Sequence, residues 1–179
     1  MIEPRLETGR LILRRWRDAD RDPYAAMSAD PAVMDWLDGT RIRAESDAQI
    51  DRFEAQLEQR GHGVLALERK ADGAFLGFAA LAVTDRPPPV PQGVEVGWRL
   101  ARHVWGFGYA TEAASALLVH GFERLGLDEI VSFTAATNLR SQAVMRRIGL
   151  ERRPDLDFDH PAFAEGHPLR GQVVFAARR

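Results

Sequence analysis

The sequence predicts an α/β domain of the α+β type, in which helices pack on a central, mixed and mostly antiparallel sheet. Three observations predict this fold class. Residues 94–125 read as a buried strand, a glycine-rich loop and an amphipathic helix in succession. Two apolar runs, 63–68 and 74–83, are joined by a polar turn with Asp72 and Gly73, which favours a hairpin. Along the whole chain, the segments follow the order β-α-α-β-β-β-α-β-α-β-β.

Size and composition suit one domain covering residues 1–179. Of the 179 residues, 45% are hydrophobic, and 24 basic against 26 acidic residues leave a formal net charge of −2. That balance does not indicate a general nucleic-acid-binding protein, and no direct nucleic-acid partner is expected. The first ten residues are too charged for a signal peptide, and no apolar run reaches membrane-spanning length. We therefore expect a cytoplasmic protein without membrane contact, either a monomer or a homodimer.

The first half of the chain should contain one strand, two helices with a short helical turn between them, and then the hairpin. Alternation predicts the first strand, an aspartate can cap the first helix, and three- and four-residue apolar spacing predicts the longest helix. The expected elements are a strand at 11–16, a helix from Asp18 or Asp20 to Ser28, a helical turn from Pro31, a helix at 45–59, and strands at 63–68 and 74–83.

The second half begins with a stiff connection, Pro87, Pro88, Pro89 and Pro91, before the central strand. Further elements follow from alternation, from helical spacing and from glycines suited to helix ends. We expect strands at 94–100 and 129–136, helices from Thr111 to Leu125 and at 138–148, and two final strands at 151–158 and 172–177.

The segment 94–125 predicts an anion site. A glycine-rich loop that leads into a helix directs its free backbone N–H groups at one point, which suits a phosphate-bearing ligand. The loop has no Gly-Lys-Ser/Thr, so it is not a P-loop. It also has threonine, Thr111, where a dinucleotide fingerprint requires its third glycine. A nucleotide-binding domain that uses the loop for another phosphate stays open as one alternative.

This loop resembles the acetyl-CoA pyrophosphate loop of GNAT (GCN5-related) N-acetyltransferases, whose pattern is Gln/Arg-x-x-Gly-x-Gly/Ala. Gly108 matches the glycine and Ala110 the final small residue, while Trp105 departs from the usual Gln or Arg. The string WGFGYATEA is similar to the Rim-type branch of ribosomal-protein alanine and serine N-acetyltransferases. The opening Glu7-Thr8-Gly9-Arg10-Leu11-x-Leu13-Arg14 also resembles that branch. The resemblance implies the GNAT fold over nearly the whole chain.

A second block strengthens the resemblance. Asn138 and Ser141, followed by an apolar helix that ends at Gly149, are similar to the family's Asn-x-x-Ser block after its fifth strand. Read alone, Asn138 is an ordinary helix cap and Ser141 a first-turn hydrogen-bonding residue. The two blocks together, in the family's order, favour the transferase scaffold.

The resemblance implies how acetyl-CoA, the expected co-substrate, binds. The central strand should pair with pantetheine, the loop and first helical turn should hold the pyrophosphate, and Asn138 should hold the pantetheine arm. The strand and loop residues concerned are Trp98, Arg99, Leu100, Trp105, Gly106, Phe107, Gly108, Tyr109, Ala110 and Thr111. The 3′-phosphate could meet Arg102, Arg146 or Arg147, although each also suits a solvated surface.

Two residues are candidates for catalysis. Glu95 is a carboxylate in an otherwise apolar strand, which suits either a general base or a salt bridge. The resemblance implies that Ser141 acts as an acid or as a hydrogen-bond donor to the leaving thiolate. Gly97, inside the strand, suggests a bulge or a close backbone approach.

The sequence gives fewer signals for the site that would bind the amine that receives the acetyl group. Trp36, on the early helical pair, and His160, in the polar loop 159–170, are our candidates for substrate binding. His103, His160 and His167 fit no zinc spacing, and no metal is expected.

These observations predict an acetyl-CoA-dependent N-acetyltransferase that transfers acetyl directly to a primary amine, on a protein N-terminus or a small molecule. The chain has no cysteine, so a thiol intermediate is excluded. A non-catalytic acyl-CoA sensor on the same scaffold is the main alternative, since it would share every residue except Glu95 and Ser141.

Overall fold

The computed structural model describes residues 5–84, 87, 89–90 and 92–179, so Pro88 and Pro91 of the proline-rich connection lie outside the described residues. The helices are α1 (Arg21–Ala29), α2 (Pro31–Met34), α3 (Arg43–Arg60), α4 (Tyr109–Glu123) and α5 (Leu139–Arg147). The strands are β1 (Leu6–Glu7), β2 (Leu11–Arg14), β3 (Val64–Arg69), β4 (Phe75–Thr84), β5 (Gly93–Leu100), β6 (Glu129–Ala135), β7 (Glu151–Arg152), β8 (Phe158–Asp159) and β9 (Gly171–Arg178).

The strands form one sheet in the order β1-β2-β3-β4-β5-β6-β9-β7, with β8 paired to β9. Every pairing is antiparallel except β5 with β6, which is parallel. The predicted mixed, mostly antiparallel sheet with flanking helices is therefore confirmed.

Two predicted elements were wrong in detail, and one observed strand was not predicted. The strand expected at 151–158 is interrupted, because Pro154 begins a 3₁₀ turn and has no N–H for a strand ladder, leaving the short β7 and β8. Helix α4 begins at Tyr109 instead of Thr111, so the predicted loop supplies its first turn. Strand β1 was not predicted, since two residues are too short for a periodic pattern.

Helix α4 covers one face of the sheet. Its apolar stripe buries Ala113, Ala114, Leu117 and Leu118. Gly121 brings the helix close to the sheet, because an added Cβ would stand 2.6 Å from Ile130 Cδ1 and 3.3 Å from Leu81 Cδ1. The close fit sets how the C-terminal half of α4 packs against β4 and β6.

Helices α1–α3 cover the opposite face. Trp16, Tyr24, Phe53 and Phe78 form an aromatic cluster there, with ring centroids 5.0–6.4 Å apart. A smaller core on this face joins β6 and β9 to the segment that carries β8, through Val131, Leu156, Phe158 and Val174. The two clusters lie on either side of the point where β5 leaves β6.

None of the helices in the described part of the chain combines the length and the apolar character needed to cross a membrane.

Candidate active site

Strands β5 and β6 separate partway along their length, and this separation creates the site. Their parallel pairing covers only Val94 with Ile130 and Glu95 with Val131. Beyond Glu95, the described strand β5 keeps pairing with β4 alone, as far as Leu100 opposite Gly77. The edge of β5 that faces β6 therefore has free backbone groups over its second half.

A cleft of about 1100 Å³ fills this separation. Its walls come from both faces of the sheet, since Val33, Trp36 and Leu37 lie on the α1–α3 side and the glycine-rich loop lies on the α4 side. The cleft therefore connects the two faces of the sheet through the gap between β5 and β6.

The alternation of β5 assigns its side chains to these two faces. Trp98 lies opposite Ala79, whereas Arg99 lies opposite Phe78, and residues directly opposite in an antiparallel pair share a face. Arg99, Gly97 and Glu95 therefore face the α1–α3 side, and Trp98 and Leu100 face the α4 side.

The loop before α4 has the geometry of an anion site. Gly106 and Gly108 have φ of 84° and 80°, in the left-handed region that favours glycine. The first intrahelical bond of α4 runs from Glu112 N–H to the Gly108 carbonyl at 3.0 Å. The amides of residues 109–111 precede that bond, so they are the free donors of a helix N-terminus.

Arg10, from the turn before β2, lies directly against this loop. Its Nη1 donates to the Phe107 carbonyl at 2.9 Å, and its guanidinium stands 4.6 Å from the centre of the Tyr109 ring. A Cβ added to Gly108 would lie 3.6 Å from Arg10 Nη2. The loop therefore has a cation beside it that comes from a distant part of the chain.

Glu112 holds Arg10 in place. Its carboxylate accepts from the Arg10 Nε at 2.6 Å, from the Arg10 N–H at 2.8 Å and from the Thr8 hydroxyl at 2.5 Å. Burial opposes ionisation, but the bonds from Thr8 and Arg10 outweigh it and lower the pKa of Glu112. Glu112 is thus a fixed anion that orients Arg10.

Trp105 closes the other end of the loop. Its indole N–H donates to the Leu100 carbonyl at 2.8 Å, which ties the loop to the end of β5. The Arg140 guanidinium lies 4.9 Å from the centre of its ring. A cation from α5 therefore stands beside the tryptophan that replaces the expected Gln or Arg.

Asn138 and Ser141 form the N-terminus of α5. The Asn138 Oδ1 accepts from the Ser141 N–H at 3.2 Å, as the ordinary cap reading predicted. Its Nδ2 donates to the Thr134 hydroxyl at 2.9 Å and to Ser141 Oγ at 3.2 Å. With its oxygen accepting from Asn138, the Ser141 hydroxyl can direct its own proton into the cleft.

The family comparison agrees with this geometry. Residues 10–151 match the model of the acetyltransferase (GNAT) domain. The chain belongs to the GNAT acetyltransferase family. GNAT acetyltransferases use acetyl-CoA, and the cationic cleft with its free helix amides fits that co-substrate.

Individual proteins that are similar to this chain support the same family assignment. The chain is 38% identical over 148 residues to the uncharacterized N-acetyltransferase YnaD of Bacillus subtilis, covering 82% of each chain. It is 31% identical over 153 residues to the FsC-acetyl coenzyme A-N(2)-transacetylase of Aspergillus fumigatus, covering 83% of this chain but only 65% of that protein. RimL, a ribosomal L7/L12 alpha-N-protein acetyltransferase solved with coenzyme A, superposes with a TM-score of 0.75 at 17% identity, covering 96% of this chain and 95% of that one. The resemblance to the Rim-type branch is confirmed at the level of the fold.

Most of the predicted GNAT site residues meet in the cleft. Those that line it are Trp36, Trp98, Arg99, Leu100, Trp105, Gly106, Gly108, Ala110, Thr111, Asn138 and Ser141. Of the three arginines considered for the 3′-phosphate, Arg147 lines the cleft. Arg146 lies over the Phe175 ring at 5.4 Å, and Arg102 lines a separate pocket beside His103.

Four predicted residues are not part of the cleft lining. Phe107 is 61% exposed and Tyr109 is buried beneath it, with the two rings stacked at 6.1 Å. Glu95 belongs to the last β5–β6 pair, immediately before the residue at which the two strands separate. The His160 ring lies within its own loop, 5.1 Å from that of Phe163, and its Nδ1 accepts from the Ala162 N–H.

Sequence reasoning missed several cleft residues. Arg10 and Glu112 are 102 positions apart, so no local motif shows their pairing; the Thr8-Gly9-Arg10 opening was the available signal. Phe133 and Thr134 appear in the sequence only as strand residues, although both line the cleft. Strand periodicity does not identify the strand edge that a neighbouring strand leaves open.

Proposed function

We propose that this protein transfers acetyl from acetyl-CoA directly to a primary amine. The observation that carries the proposal is the cleft at the β5–β6 separation. The glycine-rich loop and Arg10 line this cleft on the α4 face, and a separate wall with Trp36 and Arg99 lines it on the α1–α3 face. Two substrates could therefore approach from opposite faces and meet at the exposed edge of β5.

The α4 face would hold acetyl-CoA, which supplies an activated acetyl thioester. The amides of residues 109–111 and the Arg10 guanidinium would hold the pyrophosphate, because both offer donors to phosphate oxygens. The free edge of Trp98–Leu100 would pair with the pantetheine amides. Arg140 and Arg147 add positive charge at the α5 side of the cleft, where the 3′-phosphate could lie.

The chemistry would use Glu95 and Ser141. Glu95 lies at the point where the strands separate, so we assign it the removal of a proton from the acceptor ammonium, directly or through water. Ser141, held by Asn138, would donate a hydrogen bond to the leaving thiolate. Backbone N–H groups of β5 would stabilise the oxyanion. We assign direct transfer, since the chain has no cysteine nucleophile and no Ser-His-Asp order is apparent in its sequence.

The acceptor would enter from the α1–α3 face. Phe158 stands 5.6 Å from Phe133, which lines the cleft, and the loop that carries His160 follows Phe158 directly. This loop would border the entrance opposite Trp36. The relatives' names describe an N(2)-transacetylase and an alpha-N-protein acetyltransferase, so a small amine and a protein N-terminus both belong in the test.

The properties of the whole chain stay predictions. These are one GNAT domain over residues 1–179, a cytoplasmic location, a monomer or homodimer, and activity without a metal.

The experiment that tests the function is a panel of amines and N-terminal peptides, scored by release of the CoA thiol from acetyl-CoA. Turnover with any member, dependent on both substrates, supports the proposal. Tight acetyl-CoA binding with no turnover across a broad panel would favour an acyl-CoA sensor.

Ligand binding should raise the thermal midpoint. Acetyl-CoA at ~100 times its Kd should stabilise the folded state by about 2.7 kcal/mol, because the ligand binds only that state. Differential scanning fluorimetry measures this shift, with ATP and NAD at the same concentration as controls. A larger shift with ATP or NAD would contradict the CoA assignment and favour a nucleotide-binding site.

Ser141→Ala should lower kcat by roughly 10-fold and leave the acetyl-CoA Kd nearly unchanged. An interaction made mainly in the transition state has this signature, and a thiolate leaves readily enough that the loss stays moderate. Single-turnover kinetics together with equilibrium binding separate the two quantities. Ser115→Ala, a half-buried serine on α4 that does not line the cleft, is the matched control. Full turnover in Ser141→Ala would remove the role assigned to Ser141.

A further inference from the structure

Arg99 is a charged side chain that the proposed reaction does not use. It lies on the α1–α3 side of β5 and lines the cleft near Trp36 and Leu37. Its guanidinium stands 5.1 Å from the centre of the Phe78 ring. Its Nη1 is buried and makes no hydrogen bond to any residue that the structure describes. A buried cationic donor without an acceptor is costly, and such groups concentrate at functional sites.

The groups around Arg99 neutralise it only in part. Tyr24, from α1, donates its hydroxyl proton to Gln49 Oε1 at 2.5 Å, and its oxygen also lies near Arg99 as an acceptor that favours the charged guanidinium. Arg41, from the connection before α3, adds a second cation, and its Nε is also buried without a partner among the described residues. The Asp38 carboxylate is 60% exposed and pairs with Arg41 at 3.0 Å. Burial lowers the pKa of Arg99 and Arg41 lowers it further, and together they outweigh the opposing effects of Tyr24 and Asp38.

The space beside Arg99 is open. Gly97 precedes it by two residues on the same face of β5, and a Cβ built there would meet no heavy atom of the described chain within 4 Å. Glu95 lies two residues before Gly97 on the same face. Its Cα is about 13 Å from the Cα of Arg99 at the usual strand rise. An acceptor lying along Gly97 would therefore have the carboxylate of Glu95 at one end and the cation of Arg99 at the other.

We infer that Arg99 receives a carboxylate of the acceptor, so that the substrate is an amine that also carries a carboxylate. The inference rests on the proposed transfer to an amine and names its substrate class. A planar guanidinium suits this role, because it binds a carboxylate through two parallel hydrogen bonds. The opposite charges at the two ends of the open strip match an amino carboxylate, with its ammonium towards Glu95.

The test compares each acid with its own amide. One arm uses the longer amino acids 4-aminobutyrate, 5-aminopentanoate and 6-aminohexanoate against their carboxamides, since their ammonium and carboxylate are far enough apart to approach both ends of the strip. A second arm uses N-terminal peptides with Glu against Gln at the second or third position. The measured quantity is the ratio of kcat/KM for acid over amide, in the wild type and in Arg99→Gln at one pH. Amine basicity cancels when the two ratios are compared.

The ratio should fall by about 10- to 100-fold in Arg99→Gln, mainly through KM, since buried charge-assisted pairs are among the stronger contacts. Arg52→Gln, which removes an exposed arginine of α3, should keep the wild-type ratio. Arg99→Lys should also lose much of the preference, and it replaces Arg99→Gln if that variant does not fold. A preference for the acid in the first arm identifies a free amino acid as the source of the carboxylate. A preference for Glu in the second arm identifies an acidic peptide.

An unchanged ratio in a folded Arg99 variant overturns the inference, and so does a wild-type protein that acetylates neutral amines but no carboxylate-bearing amine. Either result leaves the proposed function standing. A wild-type protein that binds acetyl-CoA and acetylates no member of either arm and no member of the broad amine panel overturns the proposed function and this inference with it.

Discussion

Glu95→Gln should lower turnover at low acceptor concentration by about 10²–10⁴-fold, the usual contribution of a positioned general base. The substitution keeps the shape of the side chain, so the pairs that Glu95 makes with Ala82 and Val131 should persist. Initial rates over a pH series, with one amine used for both proteins, measure the effect.

The same amine is essential in that comparison because the acceptor itself titrates. Acetyl-CoA affinity is the internal control, since Glu95 faces away from the α4 side where the co-substrate would bind. A Glu95→Gln protein with wild-type turnover and an unaltered pH profile would contradict the assignment. Glu95 would then have a structural role in a salt bridge, and water would serve as the base.

Gly108→Asp should weaken acetyl-CoA binding by roughly 100- to 1000-fold. Two like charges about 4 Å apart repel by about 4 kcal/mol at an effective dielectric of 20, and each 1.4 kcal/mol is tenfold in Kd. The new carboxylate would stand where the pyrophosphate is expected, and would compete for Arg10. Isothermal titration with CoA measures the loss.

Gly108→Asn is the matched control for this change. Gly108 has φ of 80°, so any side chain there is strained, but Asn and Asp tolerate that region similarly and differ mainly in charge. We expect Gly108→Asn to lose much less affinity than Gly108→Asp. Equal losses would mean that strain or bulk, not charge, sets the effect, and unchanged affinity in a folded Gly108→Asp would remove the pyrophosphate site from this loop.

The loop and its helix show what local sequence can and cannot predict. Gly106 and Gly108 marked an anion site because only glycine readily adopts their backbone conformation, and that requirement is local. The start of α4 was predicted two residues late, because Thr111 is a good cap in isolation. The left-handed turn at Gly108 instead allows Tyr109 and Ala110 to begin the helix.

The site residues outside the loop differ in the same way. The resemblance to the GNAT family pointed to Asn138 and Ser141, which are close in sequence as a helix cap and its first turn, and the structure adds Thr134 to their hydrogen bonds. His160 was assigned to the acceptor from its loop alone, whereas its ring lies beside Phe163. A loop's own side-chain contacts depend on how the loop folds back, which no periodic pattern records.

The sequence by itself determined the mixed sheet, the order of its main elements, the glycine-rich loop and the Asn138–Ser141 block. Each depends on apolar periodicity or on backbone preferences within a few residues. Only the tertiary structure decided that β5 separates from β6 after Glu95, that Arg10 pairs with Glu112 from 102 positions away, and that Arg99 faces the α1–α3 side. Those features arise from strand pairing and packing between distant segments, because the separation of two strands and the face of a side chain are set by neighbours far away in the chain.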